Sequence, residues 1–290
     1  MSLSPNCMYL LTKELELFNG DYQTHYLEGE TKAKNIGEPY LLHRPESRLG
    51  VLLIHGLMAA PEEVREWADF LYAQGYTVYA PRMAGHGTSA DDLSARCMNE
   101  WIESVNRGHD ILKNCCESIV IAGFSTGAAV ALHQVINKPD DFAALVSISA
   151  PLKFKKFSAN FAGPVNYWNK LLRFVDNPLL STKLYRKEFV TNHADNPHIN
   201  YLRCPVSSIV EIKALMRQVR SGLSDIKIPT LVIHADKDPK VDVSSSRDIF
   251  KALNPDNAKY QEIDFHLHGI VRGAVAEQVF TEVDAFLAPL

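Results

Sequence analysis

The fold of this chain is constrained most strongly by the segment Ser118–Leu132. In it, a serine-containing turn lies between an apolar run and an alanine-rich run. The turn, Gly123–Gly127, reads Gly-Phe-Ser-Thr-Gly and matches the pattern G-x-S-x-G. The β-branched run before it predicts a buried strand, and the run after it predicts a helix. A strand-to-helix turn of this kind is a nucleophile elbow, which holds the hydroxyl of Ser125 out at the edge of a sheet. The alternative is an ordinary strand-to-helix connection that happens to contain serine and glycine.

Glycine at both ends of the elbow has a steric purpose. The turn is tight and the helix must pass close to a neighbouring strand, so a Cβ atom at Gly123 or Gly127 would collide with its surroundings. The pentapeptide therefore predicts a close approach of helix and strand around Ser125.

Strand and helix patterns alternate along most of the chain. Further apolar runs predict strands at 39–43, 51–55, 76–80, 143–149, 228–233 and 258–264. Apolar residues at helical spacing predict helices at 61–74, 101–112, 207–223, 244–253 and 275–287. This alternation indicates an α/β domain with a mainly parallel central sheet and helices on both faces. Residues 82–98 are predicted to form a loop.

Residues 151–204 interrupt the alternation. They hold many aromatic and proline residues and no clean strand, and helical fragments are predicted at 167–175 and 181–189. We interpret the stretch as a small cap or lid inserted between two parts of one α/β core, 37–150 and 205–290.

Residues 1–36 precede the first predicted strand and are interpreted as an N-terminal extension. A short helix is predicted at Tyr9–Phe18, followed by a turn at Asn19–Asp21. The charged run Glu28–Lys34 is predicted to be a solvated link to the core.

Charge and cysteine usage exclude several classes of protein. A net charge of −4 leaves no basic excess to neutralise phosphates, so nucleic acid is not an expected partner. Five cysteines without zinc or disulfide spacing are expected to be reduced thiols of a cytoplasmic protein. Residues 1–17 lack the basic region of a signal peptide. No stretch reaches the roughly 18 apolar residues of a membrane helix, so no transmembrane segment is expected.

A serine hydroxyl becomes an effective nucleophile only with a base to take its proton and a third group to orient that base. In this kind of fold the acid and then the histidine follow later, each in a loop after a strand. The loop after the strand at 228–233 carries Asp236, Asp238 and Asp242. We select Asp238, because Asp236 follows the strand more closely and Asp242 is placed to cap the next helix. Asp236 remains the alternative.

Two histidines, His266 and His268, follow the last predicted strand. We select His268 as the base, because it precedes Gly269 and lies nearer the final helix, and His266 remains the alternative. Two histidines at this spacing also suggest part of a metal site. No carboxylate or cysteine accompanies them at matching spacing, so no metal is expected.

Two backbone N–H groups must bind the negative oxygen that develops when a carbonyl is attacked. Thr126, directly after the candidate nucleophile, is expected to supply one of them. Leu57, in the loop after the strand at 51–55, is expected to supply the other. Phe124 would then lie beside the reacting centre.

Apolar side chains near this centre are candidates for an acyl-binding pocket. Besides Phe124, we select Met58 in the loop that carries Leu57, and Phe157 and Trp168 in the cap. The alternative is that the cap aromatics form only the cap's own core.

Several segments, taken in order, resemble the α/β-hydrolase superfamily, and within it the carboxylesterase and monoacylglycerol-lipase-like group. They are Leu53–Leu57, Pro81–Thr88, Gly123–Gly127, Pro229–Ile233 with Asp238, and His268–Gly269. The resemblance covers about residues 37–290 and implies the α/β-hydrolase fold and a triad of Ser125, Asp238 and His268 without a cofactor. In that group the residue after His-Gly supplies an oxyanion N–H, which supports Leu57.

These residues predict a serine hydrolase that cleaves small-molecule carboxylic esters with an apolar acyl group, of short- to medium-chain or monoacylglycerol type. The same triad could serve thioesters, carbon–carbon bonds or acyl transfer. A different class of function is a non-catalytic small-molecule receptor with this fold, whose mark would be a broken triad. The sequence does not specify an oligomeric state.

Overall fold

The apolar runs assemble into sheets in the computed structural model, which describes residues 3–155 and 188–290. The strands of these residues are β1 (Tyr40–Leu42), β2 (Leu49–Ile54), β3 (Thr77–Ala80), β4 (Ser118–Phe124), β5 (Ala144–Ile148), β6 (Phe189–Thr191), β7 (Arg203–Pro205), β8 (Thr230–Ala235) and β9 (Ala258–Ile263). The helices are α1 (Pro5–Thr24), α2 (Lys34–Gly37), α3 (Arg65–Ala73), α4 (Ala90–Ala95), α5 (Met98–Lys113), α6 (Thr126–Asn137), α7 (Val206–Gly222), α8 (Ser244–Ala252) and α9 (Ala276–Leu287). None of these described helices combines the length and apolar character needed to cross a bilayer.

Seven of the described strands form one sheet in the order β1-β3-β2-β4-β5-β8-β9. Strand β1 pairs with β3 in the antiparallel sense, and the other neighbouring pairs are parallel. The carboxyl ends of the parallel strands therefore meet at a single edge, where ligands bind in open α/β sheets. The predicted mainly parallel α/β architecture is confirmed.

Both faces of the sheet are buried, because successive side chains of each strand point to opposite faces and helices cover both. Leu52 of β2 belongs to the apolar core beneath α5 and α6, which includes Trp101. Its neighbour Val51 belongs to the opposite core beneath α3 and α9. There the rings of Trp67 and Phe280 stack with centroids 6.2 Å apart.

The predicted turn at Asn19–Asp21 is wrong, because α1 continues through it to Thr24. Phe18 is fully buried, and Asp21 pairs with Arg82 at 2.5 Å. These tertiary contacts override the local preference of Asn-Gly-Asp for a turn.

The predicted loop at 82–98 is wrong in its middle, where α4 forms. Ser89 caps this helix, since its hydroxyl accepts a hydrogen bond from the N–H of Asp92 at 3.3 Å. The helix has only six residues, too few to show a clear helical period in the sequence.

The predicted solvated link at Glu28–Lys34 is wrong at Glu30. Its carboxylate accepts hydrogen bonds from Arg203 of β7 at 2.6 and 2.9 Å and from the N–H of Ala90 at 2.7 Å. The run therefore connects the N-terminal residues to α4 and to the segment before α7.

The interpreted cap, 151–204, contains an antiparallel pair of short strands, β6 and β7, where no strand was expected. Phe189, predicted to end a helical fragment at 181–189, instead begins β6. The rest of that fragment up to residue 187, and the fragment at 167–175, lie outside the described residues.

Candidate active site

Ser125 alone separates β4 from α6, so it makes the whole turn. Its φ of 55° and ψ of −118° are strained for a residue with a side chain. A Cβ atom at Gly123 would lie 2.4 Å from the backbone of Gly127, and one at Gly127 would lie 2.2 Å from the carbonyl oxygen of Ile54. The predicted steric need for glycine at both positions is confirmed.

The structure brings Ser125, His268 and Asp238 together at the carboxyl edge of the sheet. His268 Nε2 lies 2.9 Å from Ser125 Oγ, and His268 Nδ1 lies 2.5 Å from Asp238 Oδ2. A carboxylate only accepts hydrogen bonds, so Nδ1 carries a proton. In that tautomer Nε2 carries the lone pair that can accept the hydroxyl proton of Ser125.

Asp238 is fully buried and remains ionised. Its Oδ1 accepts hydrogen bonds from the N–H groups of Lys240 at 2.7 Å and Val241 at 3.0 Å. Burial by itself raises the pKa of this carboxyl, but the His234 and His268 side chains and the backbone donors outweigh it and hold the pKa of Asp238 well below its ordinary range. The group is therefore a carboxylate at neutral pH.

His234, on β8, is a buried partner of Asp238 that sequence reasoning missed. Its Nε2 lies 3.2 Å from Asp238 Oδ2, and its Nδ1 is hydrogen-bonded to Ser246 of α8. The only signal in the sequence is a polar residue near the end of an apolar strand, which is a weak one. His234 therefore adds a second imidazole contact to the carboxylate of Asp238.

The alternative acid and base lie elsewhere. Asp236 accepts a hydrogen bond from the N–H of Phe265 at 3.1 Å, and His266 is exposed with its ring 5.0 Å from that of Phe265. Asp242 accepts from the N–H of Ser244 at 2.9 Å at the start of α8, as expected for a cap. In the described part of the chain, no three or more His, Cys, Asp or Glu side chains are arranged to hold a metal ion.

The loop after β2, residues 55–63, carries the predicted oxyanion donor Leu57 and is called the oxyanion loop below. Its Leu57 lines the same cavity as Thr126. Thr126 opens α6, so its N–H has no partner within that helix. Met58 has a φ of 62°, and its carbonyl accepts a hydrogen bond from the N–H of Tyr201 at 2.9 Å. The loop thus turns sharply beside the elbow.

A cavity of about 440 Å³ opens over Ser125. Phe124 and Met58, both selected from the sequence, line it. Further apolar lining comes from Phe154, Val190, Val206, Ile209 and Ile212. The other two selected residues, Phe157 and Trp168, lie outside the described residues.

One part of the cavity wall is polar and is formed by Glu63, Asp195, Asn200 and Lys240. Asp195 pairs with Lys240 at 3.2 Å and accepts a hydrogen bond from the N–H of Gly269 at 3.0 Å. None of the four was selected from the sequence. Glu63 resembles an ordinary acid in the first turn of a helix, and Asp195 and Asn200 lie in a stretch without a pattern.

The chain has clear relatives among known proteins. The family model Hydrolase_4, described as "Serine aminopeptidase, S33", matches residues 45–273. The thermostable monoacylglycerol lipase of Bacillus sp. (strain H-257) is 28% identical over 209 residues, which are 71% of this chain and 77% of that protein. The carboxylesterase of Bacillus subtilis (strain 168) is 25% identical over 241 residues, which are 83% of this chain and 92% of that protein.

Solved structures share the fold. The monoacylglycerol lipase of Paleococcus ferrophilus gives a TM-score of 0.70 at 20% identity and covers 87% of this chain and 98% of that one. A structure from work on the metagenome-derived lipolytic enzymes LipS and LipT gives a TM-score of 0.75 at 20% identity, over 89% of this chain and 100% of that one. The predicted α/β-hydrolase fold is thereby confirmed.

Proposed function

The chain belongs to the Hydrolase_4 (serine aminopeptidase S33) family of α/β-hydrolases, and we propose that it is a serine hydrolase that cleaves carboxylic esters with an apolar acyl group. The observation that carries the proposal is the contact chain from Ser125 through His268 to Asp238 at the floor of a largely apolar cavity. The names of the relatives, a monoacylglycerol lipase and a carboxylesterase, support an ester as the substrate.

Acylation begins when Ser125 Oγ attacks the acyl carbon while His268 Nε2 takes its proton. The buried carboxylate of Asp238 keeps the proton on Nδ1 and stabilises the imidazolium that forms. The N–H groups of Leu57 and Thr126 bind the oxygen that becomes negative. His268 then gives its proton to the departing alcohol, which leaves an acyl group on Ser125.

Deacylation repeats these steps with water as the nucleophile. Nε2 of His268 takes a proton from the water, and the resulting tetrahedral oxygen binds to the same two N–H groups. Collapse of this intermediate releases the carboxylic acid and returns the proton to Ser125 Oγ. The residues that do the chemistry are thus restored to their starting protonation states.

The shape and lining of the cavity support an amphipathic ester as the substrate. The apolar wall, with Phe124, Met58 and Ile209, suits an acyl chain of short to medium length. The polar wall, with Asp195 and Lys240, suits an alcohol portion that carries hydroxyl groups, as in a monoacylglycerol. We also propose that residues 151–204 act as a cap over this cavity.

Replacement of the nucleophile tests the proposal. Ser125→Ala is expected to lower kcat for p-nitrophenyl butyrate by about 10⁴-fold or more, since the triad acts as a unit. Ser221→Ala, at an exposed position of α7, serves as the matched control and should keep the wild-type rate. A Ser125→Ala protein that cleaves the ester at the wild-type rate would overturn the proposal. Esters from C2 to C16 and the corresponding thioesters then define the preferred bond and acyl length.

A further inference from the structure

The peptide group between Gly56 and Leu57 is held at its carbonyl oxygen. The Gly56 carbonyl oxygen lies 2.9 Å from His55 Nδ1. The Gly56 carbonyl and the Leu57 N–H belong to one planar peptide group and point in opposite directions. A hydrogen bond that fixes the carbonyl therefore also fixes the direction of the Leu57 N–H.

His55 can serve as the donor in this contact. Its Nε2 accepts a hydrogen bond from the N–H of Met83 at 3.2 Å, so the ring proton resides on Nδ1. Burial lowers the pKa of His55 to about 4, so the ring is neutral at physiological pH. His55 Nδ1 thus donates to the Gly56 carbonyl, and the same tautomer satisfies both ring nitrogens.

Glu63 holds the other end of Gly56. Its Oε2 accepts a hydrogen bond from the Gly56 N–H at 2.7 Å, and its side chain is buried. Within residues 3–155 and 188–290, Glu63 has no Lys, Arg or His at ion-pair distance. Burial raises the pKa of this carboxyl, while the Gly56 N–H and, after it, His268, Asn200 and Lys240 act in the opposite sense. A buried acid without a cationic partner is costly for the fold, and such groups are concentrated at functional sites.

The space beside the Gly56 Cα atom is closed by both the Glu63 carboxyl and the Ser125 side chain. A Cβ atom added at Gly56 would lie 3.0 Å from Glu63 Oε2 and 3.4 Å from Ser125 Cβ. The Gly56 backbone is therefore packed between the carboxyl and the elbow. A retreat of the carboxyl would let this backbone shift beside Ser125.

We propose that Glu63 is a positioning residue of the oxyanion hole: by accepting the Gly56 N–H, it holds the next peptide group so that the Leu57 N–H points at the developing oxyanion. Glu63 acts through the backbone. The inference rests on the proposed function, because it assigns a purpose to Glu63 only if Ser125 attacks an acyl carbon.

The test compares Glu63→Leu, which removes the acceptor, with Glu63→Gln, whose amide oxygen can still accept the Gly56 N–H. Loss of one oxyanion donor lowers kcat by roughly 10²- to 10³-fold. For a donor that is misdirected rather than lost, we expect Glu63→Leu to lower kcat by about 10- to 100-fold with KM within twofold. Glu63→Gln should recover most of that loss. Glu62→Gln, at the neighbouring position that pairs with Arg272, is the matched control and should keep the wild-type kcat.

A transition-state analogue separates a positioning effect from a merely structural one. A trifluoromethyl ketone forms a tetrahedral adduct with an active-site serine, and its oxygen occupies the oxyanion hole. Its affinity for Glu63→Leu should fall by the same factor as kcat/KM. A Glu63→Leu protein with wild-type kcat and wild-type affinity for the ketone would overturn the inference, and so would a Glu63→Gln protein as impaired as Glu63→Leu.

Two further measurements keep the test decisive. If Glu63→Leu does not fold, Glu63→Asp replaces it, because its shorter side chain withdraws the carboxyl from Gly56. It should then lose kcat at unchanged KM, and wild-type kcat would contradict the inference. Ser125→Ala, assayed on the same ester, separates the two proposals. If it is inactive while Glu63→Leu is not impaired, only the role of Glu63 fails; if it is fully active, the proposed function fails.

Discussion

The elbow and the oxyanion loop face each other across the candidate active site, and they are held in different ways. Each contains a residue other than glycine with positive φ, Ser125 at 55° and Met58 at 62°. The elbow is fixed by close backbone packing, since Gly127 lies against the carbonyl of Ile54. The oxyanion loop is fixed by hydrogen bonds between its backbone and buried side chains, and Glu63 accepts the one from the Gly56 N–H.

This difference predicts how each region responds to change. Steric packing is insensitive to pH and fails when atoms are added. A loop held by a titratable side chain tolerates changes in volume better, but its stability depends on the protonation state of that side chain. We therefore expect added atoms to disturb the elbow most, and a change in the protonation of Glu63 to disturb the oxyanion loop most.

The largest effect is expected from adding one methyl group to the elbow. In Gly127→Ala the new Cβ atom would lie 2.2 Å from the carbonyl oxygen of Ile54, so α6 must move away from β2. We expect the free energy of unfolding to fall by about 3 kcal/mol, at the upper end of the usual cost of overpacking. Activity should fall with it, because α6 carries the Thr126 N–H. Guanidinium denaturation and ester hydrolysis measure the two effects.

Gly20→Ala is the matched control for that substitution. Gly20 lies in the interior of α1, and a Cβ atom there would meet nothing within 4 Å. Alanine in an open helix interior stabilises by about 0.5–1 kcal/mol relative to glycine. A Gly127→Ala protein as stable and as active as wild type would show that close packing does not hold the elbow.

A smaller effect, in pH dependence, is expected at the oxyanion loop. Burial raises the pKa of Glu63 in the folded protein, so the folded state binds its proton more tightly than the unfolded chain does. The stabilisation from this proton is complete below the ordinary glutamate pKa of about 4.3 and is lost as the pH rises toward the folded-state pKa. Glu63→Gln has no such dependence. Its free energy of unfolding relative to wild type should therefore rise between pH 4 and pH 7.

Denaturation of the two proteins at several pH values measures this difference. Ser221→Ala provides the control, because it removes no titratable group and its difference from wild type should be independent of pH. A Glu63→Gln difference that stays constant or decreases toward pH 7 would contradict a raised pKa for Glu63. The contribution of the oxyanion loop to the free energy of unfolding would then be independent of pH, like that of the elbow.

The elbow could be predicted from the sequence because its determinants are local. The pattern Gly123–Gly127 and the runs around it contain both the strain and the steric reason for the glycines. The order of strands then limited the acid and the histidine to two short loops. Within them, helix capping and spacing favoured Asp238 and His268, which the structure places in contact with each other.

The oxyanion loop could not be predicted in the same way, because its contacts join residues that no local pattern connects. Glu63 has the sequence features of any acid in a first helical turn. Its burial depends on tertiary packing around the cavity that it lines. Asp195 acquires its partners Gly269 and Lys240 only when residues 188–204 meet the loops after β8 and β9. Tertiary contacts likewise turned the expected turn at Asn19–Asp21 into part of α1.

Covalent labelling of Ser125 tests the central claim most directly. A fluorophosphonate probe phosphonylates a serine only when a base takes its proton and an oxyanion hole binds the developing charge. Mass spectrometry of the folded protein and its peptides should find a single adduct on Ser125, absent from Ser125→Ala. Folded wild-type protein that remains unlabelled, or that is labelled at a different residue, would contradict the assignment of Ser125, His268 and Asp238 as a catalytic triad.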